Sequence, residues 1–176
     1  MYYFERNTMA LATIFGAEDA AEAYLAEIAD LVEEAKELGE ELTEEDKALI
    51  ILYSEGSIRA HGPGSRFGII HDVIGIPYVD GDLEIITHGT VISNEAVVAY
   101  DPEMLFIFDR GAVVTNGVPM NREDIENELI RLTRGYRNGN LFYMNNEAWY
   151  IAPGGLQSVR IQIEEVKAAL EVVLSR

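Results

Sequence analysis

Gly62-Pro63-Gly64-Ser65-Arg66-Phe67-Gly68 runs straight into Ile69-Ile70-His71-Asp72, and the apolar segment Ala48-Leu49-Ile50-Ile51-Leu52-Tyr53 stands shortly before it. The three glycines and the proline break any regular element. Phe67, Ile70, Val73 and Ile74 then recur at helical steps. Strand, glycine loop and helix in that order predict an arrangement that turns backbone N–H groups and one cation, Arg66, toward an anion. The stretch therefore reads as α/β, with an anion-binding mouth at the loop.

Outward from the loop, strands and helices alternate. Lys47 to Tyr53 reads as a buried strand, and Ser57 to His61 as a short second one across the Glu55-Gly56 turn. Ser65 to Gly75 reads as a short helix and Leu83 to Thr87 as a strand ending at His88-Gly89. Ser93 to Tyr100 is a predicted helix, with Ser93 as N-cap and Asp101-Pro102 as its stop. Met104 to Phe108 is a strongly apolar strand, Asn121 to Arg134 a helix and Leu141 to Met144 a strand. The last helix runs from Leu156 to Leu174. Apolar runs rather than alternating strands predict a mostly parallel sheet with helices on both faces.

Upstream, Thr8 to Leu38 reads as one long helix or two abutting ones. Ala21, Leu25, Ile28, Val32 and Ala35 recur at three- and four-residue steps; Gly16 marks a kink and Gly39 a stop. The chain thus divides into a long acidic helix over residues 1–40 and an α/β unit over 41–176. The apolar stripe of the helix calls for a covering surface.

Composition narrows the function classes. At 176 residues the chain is long enough for a real core. Its net charge is −18, and Glu18 to Asp46 alone holds 13 acidic residues against one lysine, Lys36. Such a chain repels phosphate backbones, so nucleic acid is excluded as an expected partner, and the acidic run reads as a solvated helix face. No stretch of about 18 apolar residues is present to span a bilayer. Met1 to Arg6 lacks the basic-then-apolar pattern of a signal peptide, so none is expected. With no cysteine, disulfides, thiolate catalysis and cysteine–metal sites are out.

In open α/β sheets ligands bind beyond the carboxyl ends of the strands. Arg66, His88, Arg110, Trp149 and Tyr150 all follow predicted strands and are the candidate rim. Two guanidinium groups, an aromatic pair and an imidazole suit a planar, anionic, aromatic ligand. The plain alternative for Asp109-Arg110 is a surface ion pair. His61, His71 and His88 lack the spacing of a zinc site, and the loop lacks the lysine of a P-loop and the dinucleotide fingerprint. Ser65 is not in a nucleophile elbow, so a hydrolase is weakly supported and no enzyme is expected.

Four stretches in order carry a resemblance: Gly62-Pro63-Gly64-Ser65-Arg66-Phe67-Gly68, then Thr87-His88-Gly89 with Ser93-Asn94-Glu95 shortly after. Asp101 to Gly111, and Trp149-Tyr150 ahead of Gly154-Gly155, complete it. From about residue 8 onward the chain resembles the iron-siderophore substrate-binding proteins of ABC importers, of the enterochelin/petrobactin type that take catecholates. The resemblance implies one lobe of a two-lobed periplasmic binding protein, namely the inter-lobe helix and the C-terminal lobe without the N-terminal lobe. It implies a ferric catecholate siderophore as ligand, with no intrinsic cofactor, bound by Arg66 and Arg110. It also implies that His88 and Tyr150 complete the ferric ion's coordination when the siderophore offers too few oxygens, with Trp149 close by. Tyrosinate oxygen is a hard ligand suited to a ferric ion. The implied partners are an ABC permease and a separate N-terminal lobe or a second copy. The implied setting is the periplasm or the extracellular face of the membrane, in a family of lipoproteins. The alternative is an interaction fragment that dimerises or pairs with another lobe and binds no ligand.

Overall fold

Leu49, Ile50, Ile51, Leu52 and Tyr53 suit a strand buried on both faces. They form the middle of β1 (Ala48–Ser54), the central strand of a computed structural model that describes residues 2–79, 88–114 and 117–176. A tight turn at Glu55-Gly56, both residues at positive φ (51° and 81°), folds the chain back into β2 (Ser57–His61). β3 (Thr90–Ile92), β4 (Met104–Asp109) and β5 (Leu141–Tyr143) complete a five-stranded sheet in the order β3-β2-β1-β4-β5. β1, β4 and β5 are mutually parallel; β2 and β3 add an antiparallel edge. The expected α/β sheet with helices on both faces is present, and its parallel part is the β1-β4-β5 half. The expected strand at Leu83–Thr87 lies outside the described residues.

Strand alternation splits the core in two. On one face Ile50, Leu52, Phe106 and Phe108 pack with Phe67, Trp149 and the helices α2 (Glu18–Glu40) and α6 (Leu156–Leu174). On the other, Leu49, Ile51, Leu105 and Ile107 meet Ile125, Ile130 and Val97, the last from α3 (Asn94–Tyr100). Ser93 caps α3 by accepting from Ala96 N–H, and Asp101 ends it in the left-handed region.

The N-terminal helical region is two helices. α1 (Tyr2–Phe15) ends at Gly16, whose φ of +64° a residue with a side chain adopts only with strain, and α2 starts afresh. The apolar stripe of α2 is covered within the chain: Ile28, Val32 and Ala35 are buried with Val159, Ile163, Val166 and Leu170 of α6. Arg160 to Glu27 (2.9 Å) and Lys167 to Glu34 tie the exposed edges of that helix pair. On α1, Leu11, Ile14 and Phe15 are exposed.

The expected helix Asn121–Arg134 is broken into α4 (Arg122–Ile125), a 3₁₀ turn (Ile130–Leu132) and α5 (Arg134–Arg137). Side chains take the helix ladder's place. Asn127 Oδ1 accepts from the N–H groups of Leu129 (3.0 Å) and Ile130 (3.1 Å), and Thr133 Oγ1 accepts from Tyr136 N–H. Among the described residues no helix is long and apolar enough to cross a membrane.

Candidate functional site

β2 begins the site. Its register sets Arg59 opposite Leu52 and His61 opposite Ile50, so Ser57, Arg59 and His61 share one face while Ile58 and Ala60 fill the core on the other. Beyond β2 the glycine loop turns through Gly64 at φ +72°. Asp72 clamps it: its Oδ2 accepts from Gly64 N–H at 2.8 Å. Gly68 leaves room for that carboxylate, since a Cβ there would lie 2.2 Å from Asp72 Oδ2. Residues Ile69–Val73 form a single π turn rather than the expected longer helix.

Four of the loop's amides are engaged locally. Gly64 N–H goes to Asp72, Ser65 N–H to Gly62 O, Gly68 N–H to Ser65 O, and Phe67 N–H to Ser65 Oγ. Those four amides are turned toward the protein's own acceptors rather than outward as a backbone anion mouth would need. What the loop offers outward is the exposed Arg66 guanidinium, while Phe67 is fully buried and stacks on Phe108 with centroids 4.2 Å apart.

Arg66 lies over the Tyr150 ring, 4.0 Å from its centroid, and donates Nη2–H to Tyr150 O at 3.1 Å. Arg110, just past β4, donates Nε–H to Tyr150 Oη at 3.0 Å and Nη1–H to Ser54 Oγ at 3.4 Å. It does not pair with Asp109, whose Oδ2 accepts from Met120 N–H at 2.8 Å. The plain ion-pair alternative therefore fails. Together Leu52, Ser54, Arg59, His61, Arg66, His88, Arg110 and Tyr150 line one cavity of about 330 Å³. Among the described residues no carboxylate forms an ion pair with Arg59, Arg66 or Arg110.

Four of the five expected site residues, Arg66, His88, Arg110 and Tyr150, thus face one cavity. Trp149 does not. It is 1% exposed, meets Phe108 edge-on at 5.2 Å, and donates its indole N–H to Glu165 Oε2 at 2.8 Å. Successive residues of the turn Glu147–Ile151 point in different directions, so Tyr150 faces the cavity and Trp149 the core. Burial pushes the Glu165 carboxyl up from its ordinary value, while the hydrogen bonds from Trp149 and Asn145 pull the other way.

Sequence reasoning missed Arg59 and the role of His61. The signal was the alternation of Ser57-Ile58-Arg59-Ala60-His61, which puts three polar side chains on one face. His61 is 1% exposed, neither ring nitrogen has a hydrogen-bond partner among the described residues, and its ring meets Phe67 edge-on at 4.8 Å. Burial, then the charges of Arg66, Arg59 and His88, lower its pKa to about 4. It is therefore a neutral imidazole at pH 7. Gly89, at φ +72°, presses against it: a Cβ there would lie 2.4 Å from His61 Nε2. Arg59 Nη1–H donates to Gly89 O at 3.2 Å and fastens the His88-Gly89 segment to β2. His71 is elsewhere. Burial lowers its pKa and outweighs the pull of Ile76 O, to which Nδ1–H donates at 2.8 Å.

Comparison with known proteins agrees with this architecture. Petrobactin-binding protein YclQ of Bacillus subtilis (strain 168) is 33% identical over 171 residues, 97% of this chain and 53% of that protein. Its crystal structure superposes with a TM-score of 0.88 over 96% of this chain and 58% of that one. Ferric-anguibactin-binding protein FatB of Vibrio anguillarum is 31% identical over 162 residues, 92% of this chain and 50% of that protein. The periplasmic catecholate-siderophore binding protein VctP of Vibrio cholerae, at 27% identity, gives a TM-score of 0.84 over 94% of this chain and 60% of that one. The chain spans about half the length of the relatives it matches. The family model described as periplasmic binding protein matches residues 2–148, and the chain belongs to that family.

Proposed function

We propose that the chain binds a ferric catecholate siderophore for iron uptake through an ABC importer. The observation that carries this reading is the concentration of Arg59, Arg66 and Arg110 around one cavity, without carboxylate ion-pair partners among the described residues, in a chain of net charge −18. Guanidinium groups left unneutralised in a part-buried cavity favour an anion of matching charge. A ferric ion held by three catecholates is trianionic and presents aromatic edges, to which the stacked Arg66–Tyr150 pair offers a face.

The ligand class is the enterochelin or petrobactin type of catecholate. With a siderophore that leaves coordination positions open, His88 and Tyr150 supply an imidazole nitrogen and a phenol oxygen to the ferric ion. The whole protein works at the periplasmic or outer face of a membrane, delivers its cargo to an ABC permease, and belongs with lipoprotein binders. Its role is binding rather than catalysis: Ser65 Oγ accepts from Phe67 N–H, and among the described residues no histidine bonds to it.

The test is a titration with a ferric catecholate, read by quenching of Trp149, which sits one residue from Tyr150. Arg110→Ala should weaken binding at least tenfold, about the worth of a hydrogen bond to a charged group, while Arg176→Ala should not. Equal effects of the two remove Arg110 from the site. Absence of quenching at tens of micromolar, with an intact circular dichroism spectrum, removes ligand binding by this lobe.

One observation favours the pairing alternative. Leu11 and Phe15 of α1, 57% and 78% exposed, line an apolar groove with Tyr24 and Leu156. In this second reading another α/β lobe, or a second copy, covers residues 1–40. Light scattering decides for the second copy: a strict monomer at high concentration ends that version.

A further inference from the structure

The cavity straddles β1. Arg110 and Tyr150 reach it from the β4 side, past the carboxyl end of the parallel half of the sheet. Arg59 and His61 reach it from β2, the neighbour of β1 on the other side. Leu52 and Ser54 of β1 lie between the two sets. Neither β2 residue is explained by packing alone. Arg59 spends one of its five N–H groups on Gly89 O and, among the described residues, has no carboxylate partner. His61 is buried with two nitrogens that have no partner among the described residues, a state that costs free energy and calls for an explanation. A phenylalanine there would carry no unpartnered nitrogens. A polar ring in this place has a use when something in the cavity bonds to it.

We propose that Arg59 and His61 form a second anchoring wall, so that the ligand is gripped through anionic oxygens on both sides of β1. The ligand this selects is a bulky polyanion whose charged oxygens are spread around its body. A ferric tris-catecholate, with oxygens arrayed around the metal, reaches both walls. The inference rests on the siderophore-binding reading above and deepens it: the third guanidinium of the site comes from within this chain.

The experiment is a fluorescence titration with the ferric complex of 2,3-dihydroxybenzoate on the full chain and on Arg59→Gln, His61→Phe, His61→Gln and Arg110→Ala. Circular dichroism checks each fold. Arg59→Gln and His61→Phe should each weaken binding by about tenfold or more, the worth of a hydrogen bond to a charged group in a part-buried site. His61→Gln keeps a hydrogen-bonding head and should recover most of the loss, which a purely packing role of His61 would not allow. Binding that weakens in Arg110→Ala but not in Arg59→Gln or His61→Phe overturns the second wall and leaves the siderophore reading standing. A glutamine variant as weak as the phenylalanine one overturns the hydrogen-bonding role of His61. No binding by the unmodified chain overturns the siderophore reading and the second wall with it.

Discussion

His61 should make the folded chain acid-sensitive in a way that one substitution removes. An unfolded chain titrates histidine near 6.5, whereas the folded site holds His61 at about 4, because protonation would put a charge in a buried position beside Arg66 and Arg59. A folded pKa below the unfolded one means that the unfolded state binds the proton first as pH falls. The stabilisation is therefore complete above the unfolded pKa and drains away on the way down through the folded one. Two-state linkage with these values puts the loss at roughly 2 kcal/mol by pH 5 and about 3 kcal/mol by pH 4. Against the roughly 5–15 kcal/mol that holds a domain together, this is large. His61→Phe fills similar space, keeps the edge contact with Phe67 and cannot take up a proton. Urea unfolding at pH 7, 5 and 4, followed by Trp149 fluorescence, measures both proteins. The carboxylates and His71 titrate in both and cancel in the comparison. Between pH 7 and 4 the unmodified chain should lose about 3 kcal/mol more than the variant, the figure linkage assigns to His61. Parallel stability–pH curves would refute the claim that His61 is buried and neutral.

Gly68→Ala places a methyl group 2.2 Å from Asp72 Oδ2, so the carboxylate must leave Gly64 N–H. A cost of about 1–3 kcal/mol in urea unfolding is expected, together with weaker ligand binding as the loop carrying Arg66 loosens; an unchanged midpoint removes Asp72 as the clamp. Glu165→Leu leaves Trp149 Nε1–H and Asn145 N–H without their acceptor. It should cost about 2 kcal/mol and move the Trp149 emission, whereas Glu165→Gln, which keeps an acceptor, should cost less. Equal losses in the two variants would mean that the Trp149 hydrogen bond contributes nothing.

Long apolar runs and their punctuation were readable from the sequence. Met104–Asp109 and Leu156–Leu174 fall where hydrophobic pattern places them, because each is long, strongly patterned and flanked by a breaker. The segment Asn121–Arg134 was not, because its breaks come from side chains that compete for backbone groups. Asn127 and Thr133 are ordinary residues within a helical pattern, and nothing in one dimension shows that their side chains will take nearby backbone N–H groups or that Asp101 will accept from Arg134 N–H. The covering of α2 was equally hidden, since nothing in α6 names α2 as its partner.

At the site, three cavity residues have an aromatic close by in the sequence: Phe67 after Arg66, Phe108 two residues before Arg110, and Trp149 before Tyr150. The structure explains the pairing. Phe67, Phe108 and Trp149 pack on one another beneath the cavity, with Phe67 and Phe108 stacked at 4.2 Å and Trp149 edge-on to Phe108 at 5.2 Å. Arg66, Arg110 and Tyr150 emerge from that packed cluster on short, fixed tethers. Which member of Trp149-Tyr150 faces the cavity is not legible in one dimension, since it depends on whether Glu165 stands ready to take the indole N–H. Because the anchors are core residues, cavity geometry and fold stability are coupled. A substitution that loosens the Phe67–Phe108 stack moves the Arg66 guanidinium before it unfolds the chain, and so costs affinity without touching any residue of the cavity wall.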